Sequence, residues 1–179
     1  SIIKLKRGVY ISVKNYERYR LDPKFLIFIA NTLSFPSYVT AEAVLQTNGI
    51  LTESTFGITS FSLRAPVLYK NKVNTFKYNK IKESIYTGYL TDYFLGKKIY
   101  FATKAKALFD YLYLKTSLIP DALKGINLIE ELRLNLDSFI SDDFAEFTNY
   151  KLLVPGTKLS RIINNIIKNA SVNKFTKIN

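Results

Sequence analysis

The hydrophobic period of this chain changes near Thr103, and that change limits what it can fold into. Between Gly57 and Phe101 the apolar residues fall in short runs separated by turn residues, the mark of strands. After Thr103 they recur three and four positions apart, the mark of helices. A strand-rich centre followed by a helix-rich end predicts an α+β fold, an antiparallel sheet packed with helices.

The strand signals are local. Ile58, Ser60 and Ser62 alternate with Thr59, Phe61 and Leu63, and Ala65-Pro66 breaks the run. Residues 67–69 and 74–81 follow, joined by the polar turn Lys70-Asn71-Lys72, so the centre is predicted to be an antiparallel meander. Residues 85–89 and 98–101 add extended pieces around a Gly96-Lys97 turn. A further alternation, Ile2-Ile3-Lys4-Leu5-Lys6, is followed by Arg7-Gly8 and the apolar run Val9-Tyr10-Ile11. That pattern predicts a basic β-hairpin.

Helix signals flank the strands. Asp22-Pro23 caps and opens a helix over residues 23–33. Pro36 follows it, Tyr38-Val39 reads as extended, and Thr40 is placed as the cap of a helix over 41–48 closed by Gly49. Thr103 caps a helix whose Ala105, Leu108, Phe109 and Leu112 share a face. Pro120-Asp121 opens a segment carrying Ile129, Leu132 and Leu136, and Ser141-Asp142-Asp143 begins another helix. Leu159, Ile162, Ile163, Ile166 and Ile167 form a stripe predicted to pack on the domain, and the tail from Ser171 is expected to fray. Residues 13–21, with Lys14, Arg18 and Arg20, read as a linker. The domain reading is therefore 1–21, hairpin and linker, then 22–179.

The residue types that are absent narrow the chemistry. The chain has no His and no Cys, which removes the commonest general base, the thiolate nucleophile and the usual transition-metal ligands. No glycine-rich phosphate loop is present. Pro120-Asp121 with Glu131-Leu132-Arg133 imitates a metal-nuclease pattern, but both halves fall in helical pattern and read as a solvated face. The expectation is a protein with no catalytic residues, no metal and no cofactor. Its longest apolar run, residues 25–30, is far short of a membrane span, and no signal peptide is visible, so a cytoplasmic protein is expected.

Charge points to a partner. The formal net charge is +12, with 26 Lys and Arg against 14 Asp and Glu. Seven acidic residues lie between 121 and 150, beside only Lys124 and Arg133. A basic body with one acidic segment suits a polyanion or an acidic protein.

Several segments, in order, resemble the AbiEi family, the antitoxins of bacterial type IV toxin–antitoxin systems. Lys6-Arg7-Gly8-Val9-Tyr10 resembles the close of that family's N-terminal winged helix. Ser37-Tyr38-Val39-Thr40-Ala41-Glu42-Ala43-Val44-Leu45 with Asn48-Gly49, then 57–64 and Thr75-Phe76-Lys77-Tyr78, resemble successive family segments. Ala102-Thr103-Lys104-Ala105-Lys106-Ala107-Leu108-Phe109-Asp110 is similar to its "Ala-x-x-Glu-Lys-Ala-Leu-Leu-Asp" helix. Ala105 stands where the family usually has Glu, and Asn48 where it often has His.

The resemblance implies an antitoxin domain preceded by the wing hairpin of a winged-helix module. It implies autoregulation of an operon through DNA and counteraction of a nucleotidyltransferase-like toxin in an abortive-infection system. The helices of that module are missing; a trimmed fragment and a short natural chain both fit. On this reading Lys4, Lys6, Arg7 and Lys14 are the DNA-contacting candidates. Lys104, Lys106 and Asp110 are candidates for a toxin- or anion-facing helix edge, against the plainer reading of Lys106 and Asp110 as a weak surface pair one helical turn apart. Tyr69, Phe76, Tyr78, Tyr86, Tyr89, Tyr93 and Phe94 read as core fillers before base-stacking platforms. The rival class is a non-catalytic interaction or scaffold domain with no role on DNA. Oligomeric state has no signal in the sequence.

Overall fold

A computed structural model describes residues 1–53 and 56–176, with side chains as far as Ser171. The fold is α+β, with a two-stranded hairpin and a six-stranded sheet among the described residues.

Strands β1 (Ile2–Lys6) and β2 (Val9–Ser12) form the antiparallel hairpin, turning at Gly8 with φ of 75°. Their register slips between Lys4 and Lys6. The bulge twists the strand, and Leu5 enters the same apolar core as the rest of the chain.

The segment read as a linker is a helix, α1 (Val13–Tyr19). Ser12 caps it by accepting from the Asn15 N–H at 3.1 Å. Tyr16 and Tyr19, one turn apart, pack on Phe25, and Tyr19 also meets Phe94 edge-on. The cap and the i, i+3 aromatic pair were visible in the sequence; the basic residues between them disguised the period.

Helix α2 (Pro23–Leu33) starts as expected, with Asp22 accepting from the Lys24 N–H. It crosses one face of the large sheet. Tyr78 Oη donates to the Ala30 carbonyl at 2.6 Å, and buried Asn31 accepts from the Tyr100 N–H at 2.7 Å while donating to Ser37 O.

The sheet contains β3 (Ser37–Val39), β4 (Ile58–Ser62), β5 (Val67–Lys70), β6 (Thr75–Lys80), β7 (Tyr89–Phe94) and β8 (Lys97–Ala102), in the order β5-β6-β4-β3-β8-β7. It is mixed, not an antiparallel meander: β4–β6 and β3–β8 are parallel. The reason lies in β5. It takes the edge and leaves β6 beside β4, because Phe76 and Tyr78 of β6 need full cover whereas Leu68 of β5 stays exposed. The piece expected at 85–89 is extended only from Tyr89; Glu83–Ile85 is a 3-10 turn.

On the opposite face lie α3 (Glu42–Thr47) and α4 (Lys104–Lys115), backed by α5 (Leu128–Glu131), α6 (Ser141–Asn149) and α7 (Lys158–Thr176). The segment opened by Pro120 stays irregular until Leu128. The predicted α7 stripe is buried at Leu159, Ile162, Ile163 and Ile166, and the helix continues past Ser171 to Thr176 instead of fraying there. Among the described residues no helix is long and apolar enough to cross a membrane.

Candidate functional site

Helix α4 is the centre of the molecule. Thr103 caps it, accepting from the Lys106 N–H at 3.0 Å. The sheet covers one side, and α3, α6 and α7 cover the others. Every residue from Ala105 to Leu112 is consequently buried. Lys106 and Asp110, expected as a surface pair or a partner-facing edge, are 0% exposed.

Their ion pair sits in a closed polar network. Lys106 Nζ donates to Asp110 Oδ1. Asp110 Oδ2 accepts from Tyr38 Oη at 3.0 Å and from Thr40 Oγ1 at 2.7 Å. Thr40 is thereby taken from the role predicted for it. It does not cap α3; the chain turns into that helix through Ala41, at φ of 52° with no side-chain cap. The Lys106 ammonium also lies 4.7 Å from the Phe109 ring centroid and 5.7 Å from those of Tyr38 and Tyr150. Three aromatic faces and one carboxylate thus replace its water.

Burial dominates the electrostatics. It pushes the Asp110 carboxyl up to about 6, against the opposing pull of Lys106, Thr40 and Tyr38. It draws the Lys106 amine below its usual range, with Asp110 pulling back. Burial, then the neighbouring Asp110 charge, raises the Tyr38 phenol. A second carboxylate continues the network: Glu146 Oε1 accepts from Tyr150 Oη and from Thr103 Oγ1. Burial and that hydrogen bond raise the Tyr150 phenol as well.

Above Glu146 opens a cleft of about 700 Å³ at the end of the sheet where β3 and β8 finish. Its walls are mostly apolar, including Ile27, Val44, Ile58 and Phe101, with Thr103, Lys104, Asp143 and Glu146 at one end. Lys104 is half-buried there, bonded to Asp143 at 2.6 Å and to the Ser138 carbonyl at 2.7 Å. Of the three candidates on α4, only Lys104 reaches a surface a partner could touch.

The hairpin candidates also divide. Lys4, Arg7 and Lys14 are exposed. Lys6 is half-buried, donating to the Leu33 carbonyl at 2.6 Å with its ammonium 5.4 Å from the Tyr69 ring centroid. Among the strand aromatics, Phe76, Tyr78 and Phe94 are core, while Tyr93 is 57% exposed. Asp121 faces solvent and pairs with Lys158, and Glu131 is exposed on α5. Among the described residues, no group of three or more Asp and Glu is placed to hold a metal ion.

Sequence reasoning missed Tyr38, Thr40, Glu146 and Tyr150 as members of one network. The Lys106–Asp110 spacing was the available signal, but it says nothing about burial. No family model, curated protein or solved structure matches this chain.

Proposed function

We propose that the chain is an antitoxin and transcriptional autoregulator of a bacterial type IV toxin–antitoxin system of the AbiEi kind, acting without catalysis against a nucleotidyltransferase-like toxin in the cytoplasm. One observation carries the reading. The family-like segments after the hairpin are tied to one another in this fold: β3 pairs with β4 and β8, β4 with β6, and Tyr38 and Thr40 of the segment that begins at Ser37 bond Asp110 of the segment that begins at Ala102. On this view the Tyr38, Lys106 and Asp110 motif positions maintain the antitoxin fold. The toxin-directed role then falls to exposed surface, with Lys104 at the cleft as its remaining motif candidate. The exposed basic hairpin supports the DNA-binding half of the reading.

Co-expression with a nucleotidyltransferase-like toxin encoded beside it tests the reading, and a neighbouring gene of another kind counts against it. Growth should be restored by this chain. Failure of a folded, expressed chain to restore growth removes the antitoxin assignment. A cleft with exposed Leu90 on its wall favours, as the second reading, an interaction domain with no role on DNA.

A further inference from the structure

The hairpin does not stand free of the body. Asn71, in the turn after β5, donates from Nδ2 to the Leu5 carbonyl at 3.0 Å, while its Oδ1 accepts from the Val73 and Asn74 N–H groups. One side chain thus shapes the β5–β6 turn and clamps it to β1. Lys6, bonded to Leu33, fixes the hairpin from the other side.

Between the two lies an open groove of about 580 Å³. Lys4 and Arg7 stand on its hairpin side and Lys70 and Lys72 on its body side, and no acidic residue lines it. All four are exposed, and among the described residues none has an ion-pair partner. Exposed Leu68 and half-buried Tyr69 supply an apolar floor. Among the described residues six cations elsewhere pair with a carboxylate, as Lys24 does with Asp92 and Arg133 with Glu53.

We infer that this groove is a phosphate track for duplex DNA, in which Lys70 and Lys72 of the body act together with Lys4 and Arg7 of the hairpin. The inference rests on the DNA-binding half of the function proposed above and extends the contact surface beyond the wing. Three points select a nucleic-acid backbone. The cations are spread along two lips, as repeated phosphates require, and are not gathered around one anion. Water-exposed lysines on flexible stems suit phosphates, which position a protein without reporting sequence. The clamp at Asn71 holds the two lips at a fixed spacing, so both engage one backbone without reordering.

The test is fluorescence anisotropy of a labelled duplex of about 20 base pairs, titrated with the full chain at about 50 to 200 mM salt. Three double variants are compared: Lys70→Glu with Lys72→Glu, Lys4→Glu with Arg7→Glu, and Lys97→Glu with Lys98→Glu. The last makes the same charge change at exposed positions where β8 begins, outside the groove. All should melt as the unaltered chain does. Each groove variant should bind about tenfold more weakly and lose about 1.8 from the slope of log K against log salt, the loss of two phosphate contacts. The control should change less than about twofold. Unaltered binding by the Lys70/Lys72 variant overturns the track while leaving the hairpin as a DNA contact. Equal weakening in all three overturns it in favour of bulk charge. If the unaltered chain does not bind duplex at low salt, the track and the DNA-binding reading both fall, and growth rescue alone then decides the antitoxin reading.

Discussion

Tyr38 donates its phenolic proton to Asp110 across 72 residues of chain, at 3.0 Å, and so joins a central strand to the central helix. The same carboxylate holds Thr40 and Lys106. A pair that the sequence suggests is worth a few tenths of a kcal/mol is instead the polar centre of the fold.

Removing both members should cost less than the sum of removing each. Lys106→Met leaves a buried carboxylate without its counter-charge, and Asp110→Ala leaves a buried ammonium. Each should lose about 3–5 kcal/mol. Lys106→Met combined with Asp110→Leu should lose clearly less than the sum, because no uncompensated charge remains. Urea denaturation of the three variants measures this; additive losses would show that the two groups do not depend on one another.

The acid limb of stability should carry Asp110's signature. Its folded value is about 6 against an ordinary 3.8, so the folded chain binds this proton more tightly than the unfolded chain. The contribution is therefore full below the unfolded value and is lost as pH rises through about 6. The unaltered chain should lose stability relative to Asp110→Asn between pH 4 and 7, and the difference between their urea midpoints tracks this. A difference independent of pH would refute the assignment.

Gly88 should tolerate no side chain. Its φ is +74°, and an added Cβ would overlap Tyr150 Oη and lie 2.9 Å from Lys106 Cβ and Cγ. Gly88→Ala should cost about 2–4 kcal/mol from backbone strain plus overpacking. Adding Tyr150→Phe removes the worst overlap and should recover part of the loss but not all of it, because the φ strain stays. Thermal melts of the single and double variants are the check; full recovery would mean that the backbone is not strained.

Lys6 should act on the hairpin's order. Lys6→Met keeps the apolar stem and removes the bond to the Leu33 carbonyl, a charged hydrogen bond worth about 1.5–3 kcal/mol when well made. Amide exchange should accelerate in residues 2–12 and stay unchanged in α4. Uniform acceleration throughout the chain would show that the hairpin and the body open as one unit.

The sequence by itself determined the elements whose signals are local. Asp22-Pro23, Thr103 and the isoleucine stripe from Leu159 mark real helices because caps and periodicity act within a few residues of chain. Gly8 marks a real hairpin turn for the same reason. The one-turn spacing of Lys106 and Asp110 is also plain in the sequence, but it assigned both residues to the surface. Tertiary structure decided what those local signals leave open. It placed β5 on the edge and made the sheet mixed, and it drew Thr40 from a cap to Asp110. It buried Lys106 under three aromatic rings, and it set Lys70 and Lys72 across a groove from Lys4 and Arg7. Each of these depends on contacts between residues tens of positions apart. Burial, desolvation and charge proximity are properties of such contacts, and no period or cap in the chain encodes them.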